Sequence, residues 1–288
     1  MAKKSKIIIA FLAVILIAVG AFTFYNKNSS QADDTKTITL GTIGSDVKIW
    51  NYIASLPETK KEGLTIKVKS FTDGVSLNQA TADGTIDVNA FQSYAYLAAY
   101  NQSHKSAKLE TLGTTYLEPM GIYSSKYKKV SDIPDGATIA IANNPANASR
   151  GLQLLAQAGL ITLKSNFNSL SGPNDIKSNP HHFKFKEIDD TTGPVVVKDN
   201  SIAAALIGNT IALEGHLNVL KDSIYHEKVD QSTKANVNIL ASAAKSDNKA
   251  EYKKLVTLYH RSDVQSYIKK TFAGTKVEVN QPVSYLTK

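Results

Sequence analysis

From Thr37 onward, strand-like and helix-like segments alternate, which confines the chain to α/β layers built on parallel sheets. Thr37 to Thr42 predicts a strand with Ile38 and Leu40 on one side. Ile49, Ile53 and Leu56 then recur at helical spacing, which predicts a helix capped by Asp46 and ended by Pro57. Leu64 to Phe71 and Ile86 to Phe91 predict strands, with a short helix at Leu77 to Ala82 between them and another at Ser93 to Tyr100. A second block opens near Met120. It holds an apolar strand at Ala137 to Ala142, a helix from about Asn147 to Ala158 stopped by Gly159, and a polar loop from Lys164 to Pro180. Phe183 and Phe185 alternate with lysines as in a half-buried strand. The apolar run Ile202 to Leu217 breaks at Gly208-Asn209, Val237 to Ala241 predicts a strand, and two helices close the chain.

Ahead of this pattern, Lys3, Lys4 and Lys6 precede an uncharged apolar run at 7–25. Nineteen helical residues at about 1.5 Å each approach the roughly 30 Å hydrocarbon core, and the lysine flank orients the downstream chain to the outside. The segment is expected to remain as a membrane anchor; cleavage as a signal peptide near Ala18-Val19-Gly20-Ala21 is the competing reading. With no cysteine in the chain, a thioether-linked lipid is excluded, as are disulfides, thiolate zinc sites and thiol nucleophiles.

The net charge of +8 comes from lysines spread in pairs such as Lys60-Lys61 and Lys253-Lys254. No arginine-rich helix or basic-aromatic interleaving accompanies it, so nucleic acid is not an expected partner. A solvated basic surface near an anionic wall or membrane is the reading of this charge.

The most informative local stretch is Ala140-Ile-Ala-Asn-Asn-Pro-Ala-Asn-Ala-Ser-Arg150. An apolar strand runs through a polar loop into a helix, whose N-terminus presents free N–H donors to a carboxylate or phosphate. Arg150 adds a fork suited to a carboxylate, and Asn143 and Asn147 add amides. The other reading is an ordinary asparagine-capped helix with a surface arginine. Arg261 is the only other arginine.

Catalytic motifs are absent from the sequence. His181-His182 with Asp189-Asp190 fits no compact metal-ligand spacing, so no metal is expected. There is no G-x-S-x-G elbow, and Gly41-Thr-Ile-Gly44 lacks the spacing of a dinucleotide or phosphate loop, so no cofactor is expected. If the strand through Phe185 continued, Asp189 and Asp190 would point to opposite sides, a poor arrangement for acid–base work.

Several motifs together resemble one family. Phe71-Thr-Asp-Gly-Val-Ser-Leu-Asn-Gln-Ala80 and Asp83-Gly-Thr-Ile-Asp-Val-Asn-Ala-Phe-Gln92 are similar to the F-x-D-Y-x-x-P-N-x-A-L and D-G-x-I-D-A-N-x-F-Q-H stretches of the NlpA/MetQ-type methionine-binding lipoproteins of bacterial ABC importers. Glu118-Pro-Met-Gly-Ile-Tyr-Ser124, Asn143-Asn-Pro-Ala-Asn-Ala-Ser-Arg150 and Ala212-Leu-Glu214 match further segments. The resemblance covers about Thr37 to Phe272. It implies a two-lobed periplasmic-binding-protein-like α/β fold of type II, with a ligand cleft between the lobes. One lobe would comprise 37–117 plus 237–288 and the other 118–236, with 1–36 as anchor and linker.

By the same resemblance, Arg150 and Asn147 would clamp a ligand carboxylate with Asn143 nearby, while Phe91 and Tyr116 shape the apolar part of the pocket. Departures from the family pattern fall at Gly74 (tyrosine in the family), at Ser93 (histidine) and at Gly208-Asn209, where an asparagine is lost. Space vacated at Gly74 and Ser93 would admit an amino acid bulkier than methionine, or a short peptide. The expected function is a membrane-anchored, non-enzymatic solute receptor serving an ABC permease and its ATPase. The alternative is a surface adhesin or interaction module that retains the fold.

Overall fold

The computed structural model describes residues 35–228 and 231–287; the apolar run at 7–25 lies outside them. The chain runs through β1 (Lys36–Ile43), β2 (Leu64–Phe71), β3 (Val88–Ser93) and β4 (Leu109–Thr114) in the first lobe. It crosses through β5 (Tyr116–Leu117) into the second, with β6 (Met120–Tyr123), β7 (Thr138–Ala142), a small hairpin of β8 (Thr162–Leu163) and β9 (Ile176–Ser178), then β10 (Lys184–Ile188), β11 (Ala204–Gly208) and β12 (Tyr225–His226). It returns as β13 (Asn238–Ala243), and β14 (Val277–Glu278) pairs back onto β5.

Each lobe is a five-stranded sheet, ordered β2-β1-β3-β13-β4 in one and β10-β7-β11-β6-β12 in the other. The sheets are mixed, which corrects the expectation of parallel ones. β1 with β3, and β7 with β10 and β11, are parallel as strand–helix–strand units require. β13 and β6 are strands next to a crossing, and each enters its sheet antiparallel to both neighbours.

The first core packs Ile38 and Leu40 of β1 against Ile49, Trp50 and Ile53 of the helix Asp46–Ser55, and against Tyr252, Leu255 and Tyr259 of the closing helix Lys249–Tyr259. The second packs Ile139 and Ile141 of β7 against Leu152, Leu154 and Leu155 of the helix Pro145–Gln157. Two helix boundaries differ from expectation. Asp46 is the first helical residue rather than the cap, its carboxylate being turned into a buried ion network instead. Pro57 opens a short helix, Pro57–Lys61, rather than only ending the one before it; a first-turn residue has no N–H partner to lose.

Among the described residues, no helix is long and apolar enough to cross a membrane.

Candidate functional site

The parallel register of β10 on β7 sets Ile188 opposite Ala142, so the segments leaving both strands emerge side by side. One leads to Asn144, the N-cap of the helix Pro145–Gln157, whose Oδ1 accepts the Asn147 N–H at 2.9 Å. This helix starts two residues earlier than expected, because Pro145 suits a first-turn position. The other leads to Asp190. Its Oδ2 accepts Asn144 Nδ2 at 2.7 Å and Asn147 Nδ2 at 2.6 Å. The asparagine amides at this helix N-terminus thus serve a carboxylate of the chain itself. Burial pushes the Asp190 carboxyl above its ordinary value, Asp189 and Asp73 add to the effect, and the two amides oppose it. β10 ends at Ile188, so the two aspartates are not on a strand; Asp189 caps a 3-10 turn, accepting the Thr191 N–H.

Arg150 stands one turn further along the helix. Its Nε and Nη2 make a two-pronged ion pair with Glu227, at 2.9 Å to Oε1 and 2.6 Å to Oε2, and Nη2 also donates to the Glu118 carbonyl at 2.7 Å. Burial works against the guanidinium, but Glu227 outweighs it and holds the Arg150 pKa above its ordinary value. Nη1 makes no hydrogen bond among the described residues, and Arg150 faces a cavity of about 90 Å³ between the lobes. That is room for several waters or part of a small solute.

The first lobe supplies the opposite wall with Gly74, Phe91, Ser93 and Tyr96. A Cβ on Gly74 would lie 2.7 Å from Phe91 Cε2 and 2.7 Å from Tyr96 Oη. The space expected at Gly74 is therefore already filled by those two rings, which meet edge to face at 5.7 Å. Ser93 caps the helix Tyr94–Ser103, its Oγ accepting the Tyr96 N–H at 3.2 Å. Room is found at Gly208 instead, where an added Cβ meets nothing within 4 Å. Behind Phe91, the motif residues Asn78, Asn89 and Gln92 are buried and hydrogen-bond one another, so they brace the wall from within lobe 1.

Of the residues singled out from sequence, Arg150, Asn147, Phe91, Ser93 and Gly74 meet at the cavity. Asn143, Tyr116 and Asn209 are not among the residues that line it. Asn143 is exposed. Tyr116 and Asn209 belong to a buried ion network behind the cavity floor. There the Tyr116 hydroxyl donates to Asp46 Oδ2 at 2.6 Å, and Asn209 Nδ2 donates to Glu118 Oε2 at 2.9 Å. Lys276 Nζ sits at its centre, 2.9 Å from Asp46 Oδ1 and 2.8 Å from Glu118 Oε2, over the Tyr116 ring. Burial disfavours this ammonium, but the two carboxylates hold its pKa above the ordinary value. Burial also opposes ionisation of Glu118, yet Lys276, Asn209 and the Thr210 N–H keep it below its usual range; at Asp46 burial wins and the carboxyl is raised.

Sequence reasoning does not reach Asp190, Glu227, Lys276 or Tyr96 as site residues. The only local signal is for Asp190, which follows a strand end as Asn144 does. His181 pairs with Asp135, and among the described residues no cluster of histidine and acidic side chains could hold a metal ion.

The NlpA lipoprotein family profile matches residues 38–280. The chain belongs to the NlpA lipoprotein family. Within this family, the methionine-binding lipoprotein MetQ of Bacillus subtilis (strain 168) is 36% identical over 228 residues, spanning 78% of this chain and 82% of that protein. Two solved structures share the two-lobed fold with this NlpA-family chain at 35% identity. One is a nutrient-binding protein from Burkholderia cenocepacia bound to methionine, with a TM-score of 0.77 over 84% of this chain and 99% of that one. The other is the substrate-binding protein of a methionine transporter from Streptococcus pneumoniae, with a TM-score of 0.76 over 84% and 95%.

Proposed function

We propose that this chain is the solute receptor of an ABC importer and binds an amino acid of the methionine class in the interlobe cavity. The observation that carries this reading is the cavity itself, lined by both lobes, with Arg150 presenting an Nη1 that has no hydrogen bond among the described residues on one side and the Phe91–Tyr96 pair an apolar wall on the other. The names of the relatives cited above, each of which includes methionine, point the same way. Arg150 would hold the solute carboxylate, and Phe91 and Tyr96 the side chain. The receptor reading makes it a binder rather than an enzyme; the cavity lining includes no histidine, cysteine or lysine.

In this reading the lobes are 37–117 plus 237–288 and 118–236, and closure about the crossing segments presents a joint surface to a permease and its ATPase. The 7–25 segment would hold the protein on the outer face of the cell membrane. Retention in membranes after a high-salt wash is the expected sign of that anchoring, since salt strips charge contacts and leaves a buried helix in place. The interaction-module alternative rests on shrinkage at Gly74, Ser93 and Gly208; two of those three are occupied or engaged, which favours the receptor.

Calorimetric titration of the full-length protein with the common amino acids and short peptides tests the proposal. Binding of methionine or a close relative is the expected result, and silence across the whole panel would overturn it.

A further inference from the structure

Every charged side chain that lines the cavity has an opposite charge beside it, except one. Glu118 is saturated: Oε1 accepts the Thr210 N–H, and Oε2 accepts from Asn209, Thr210 and Lys276. Arg150 is answered by Glu227. Asp190 has no ion-pair partner among the described residues, and the charges of Asp189 and Asp73 that act on it are acidic too. Two amides on Oδ2 fix its orientation, while Oδ1 accepts no hydrogen bond among the described residues. A half-buried carboxylate without a cation loses part of its hydration uncompensated unless something that enters the site supplies one.

We propose that Asp190 is the seat for the ammonium group of the solute, so that the cavity selects molecules with a free cationic amine beside their carboxylate. This rests on the reading of the cavity as a solute site and adds to it the group that reads the amine. Asn147, which holds Asp190, and Arg150 lie three residues apart on one helix face, about one turn or 5 Å along. An acceptor and a donor at that separation suit the adjacent opposite charges of an amino-acid zwitterion. With the side-chain amides of Asn144 and Asn147 committed to Asp190, the solute carboxylate is left to Arg150 Nη1. The ammonium would then sit at the first turn, where the Asp190 charge overrides the unfavourable helix dipole.

The test compares L-methionine with its des-amino analogue, 4-(methylthio)butanoate, by calorimetry on the full-length protein and on Asp190→Asn. This substitution keeps the shape and both acceptor contacts to Asn144 and Asn147 but removes the charge. The unmodified protein is expected to prefer methionine over the analogue by about ten- to a hundred-fold, and Asp190→Asn to lose about that much for methionine and little for the analogue. Equal affinity of the unmodified protein for the two compounds overturns the proposal. So does unchanged methionine binding by Asp190→Asn. If the variant proves unfolded by thermal melting, the analogue comparison on the unmodified protein decides alone. Should no amine-bearing solute bind at all, the receptor reading falls and this proposal with it; methionine binding that ignores the amine sinks only the role of Asp190.

Discussion

Arg150 and Glu227 stand 77 positions apart in the chain and meet as a buried two-pronged ion pair on the edge of the interlobe cavity. Removing one partner of such a pair leaves an uncompensated buried charge, so Arg150→Ala is expected to lower folding stability by about 3–5 kcal/mol as well as weaken solute binding. Arg150→Lys separates the two effects. It should retain part of the stability, read from urea midpoints, yet lose about ten-fold or more in affinity because a point charge cannot reproduce the fork. Arg261→Ala serves as the control with unchanged affinity, since Arg261 pairs with its neighbour Asp263 on the surface.

Lys276 bridges Asp46 and Glu118, and its side chain is fully buried. Lys276→Met leaves two carboxylates facing each other out of water. A loss of about 3–5 kcal/mol in urea denaturation is expected. Asp46→Asn should cost less, because burial already favours its uncharged form.

Gly74 and Gly208 make a contrasting pair. Gly74→Ala forces a Cβ against the Phe91 ring and the Tyr96 hydroxyl and should cost about 1–3 kcal/mol in thermal or urea melts. Gly208→Asn enters open space at a helix N-cap, where asparagine is favoured, and should leave stability unchanged or slightly raised. Its amide adds a hydrogen-bonding group to the cavity, so methionine affinity should rise about five-fold, measured by calorimetry.

Asp73 caps the helix Gly74–Asp83, accepting the N–H groups of Val75 at 3.2 Å and Ser76 at 2.7 Å. Slight burial would raise its carboxyl, but the hydrogen bonds from Ser76 and Val75 prevail and hold it below the ordinary value. A carboxyl that titrates lower when folded contributes its full stability above the unfolded value and loses it as the pH falls through the folded one. Asp73→Ala should therefore cost about 1 kcal/mol near neutral pH. The gap between variant and parent melting curves should close in acid, below the ordinary aspartate range.

Features that depend on near neighbours are legible in the sequence. The strand, loop and helix around Ala140 to Arg150 follow from periodicity and capping, and the cavity-facing Arg150, Asn147 and Phe91 lie inside recognisable motifs. Features that depend on distant partners escape it. Nothing near Glu227 or Lys276 announces a buried ion pair, because the groups that neutralise them lie 77 and 158 positions away. Asp190 reads as half of a strand dipeptide, but β10 stops at Ile188 and the chain turns toward Asn144. The missing side chain at Gly74 reads as added room, since sequence alone does not tell that Phe91 and Tyr96 lean into the gap.

The insertion of β13 between β3 and β4 has a consequence for the order of events in synthesis. The second lobe's sheet draws only on strands between Met120 and His226, so it can close as soon as that stretch has emerged. The first lobe's sheet cannot: β3 and β4 have no hydrogen-bonded edge in common until β13, residues 238–243, arrives to bridge them. A pairing across so long a span is slow to form, because the loop between the strands must be closed first. The first lobe's sheet therefore stays incomplete through most of translation, while the second lobe can already be closed, so the cavity between them can form only once the far end of the chain has been made.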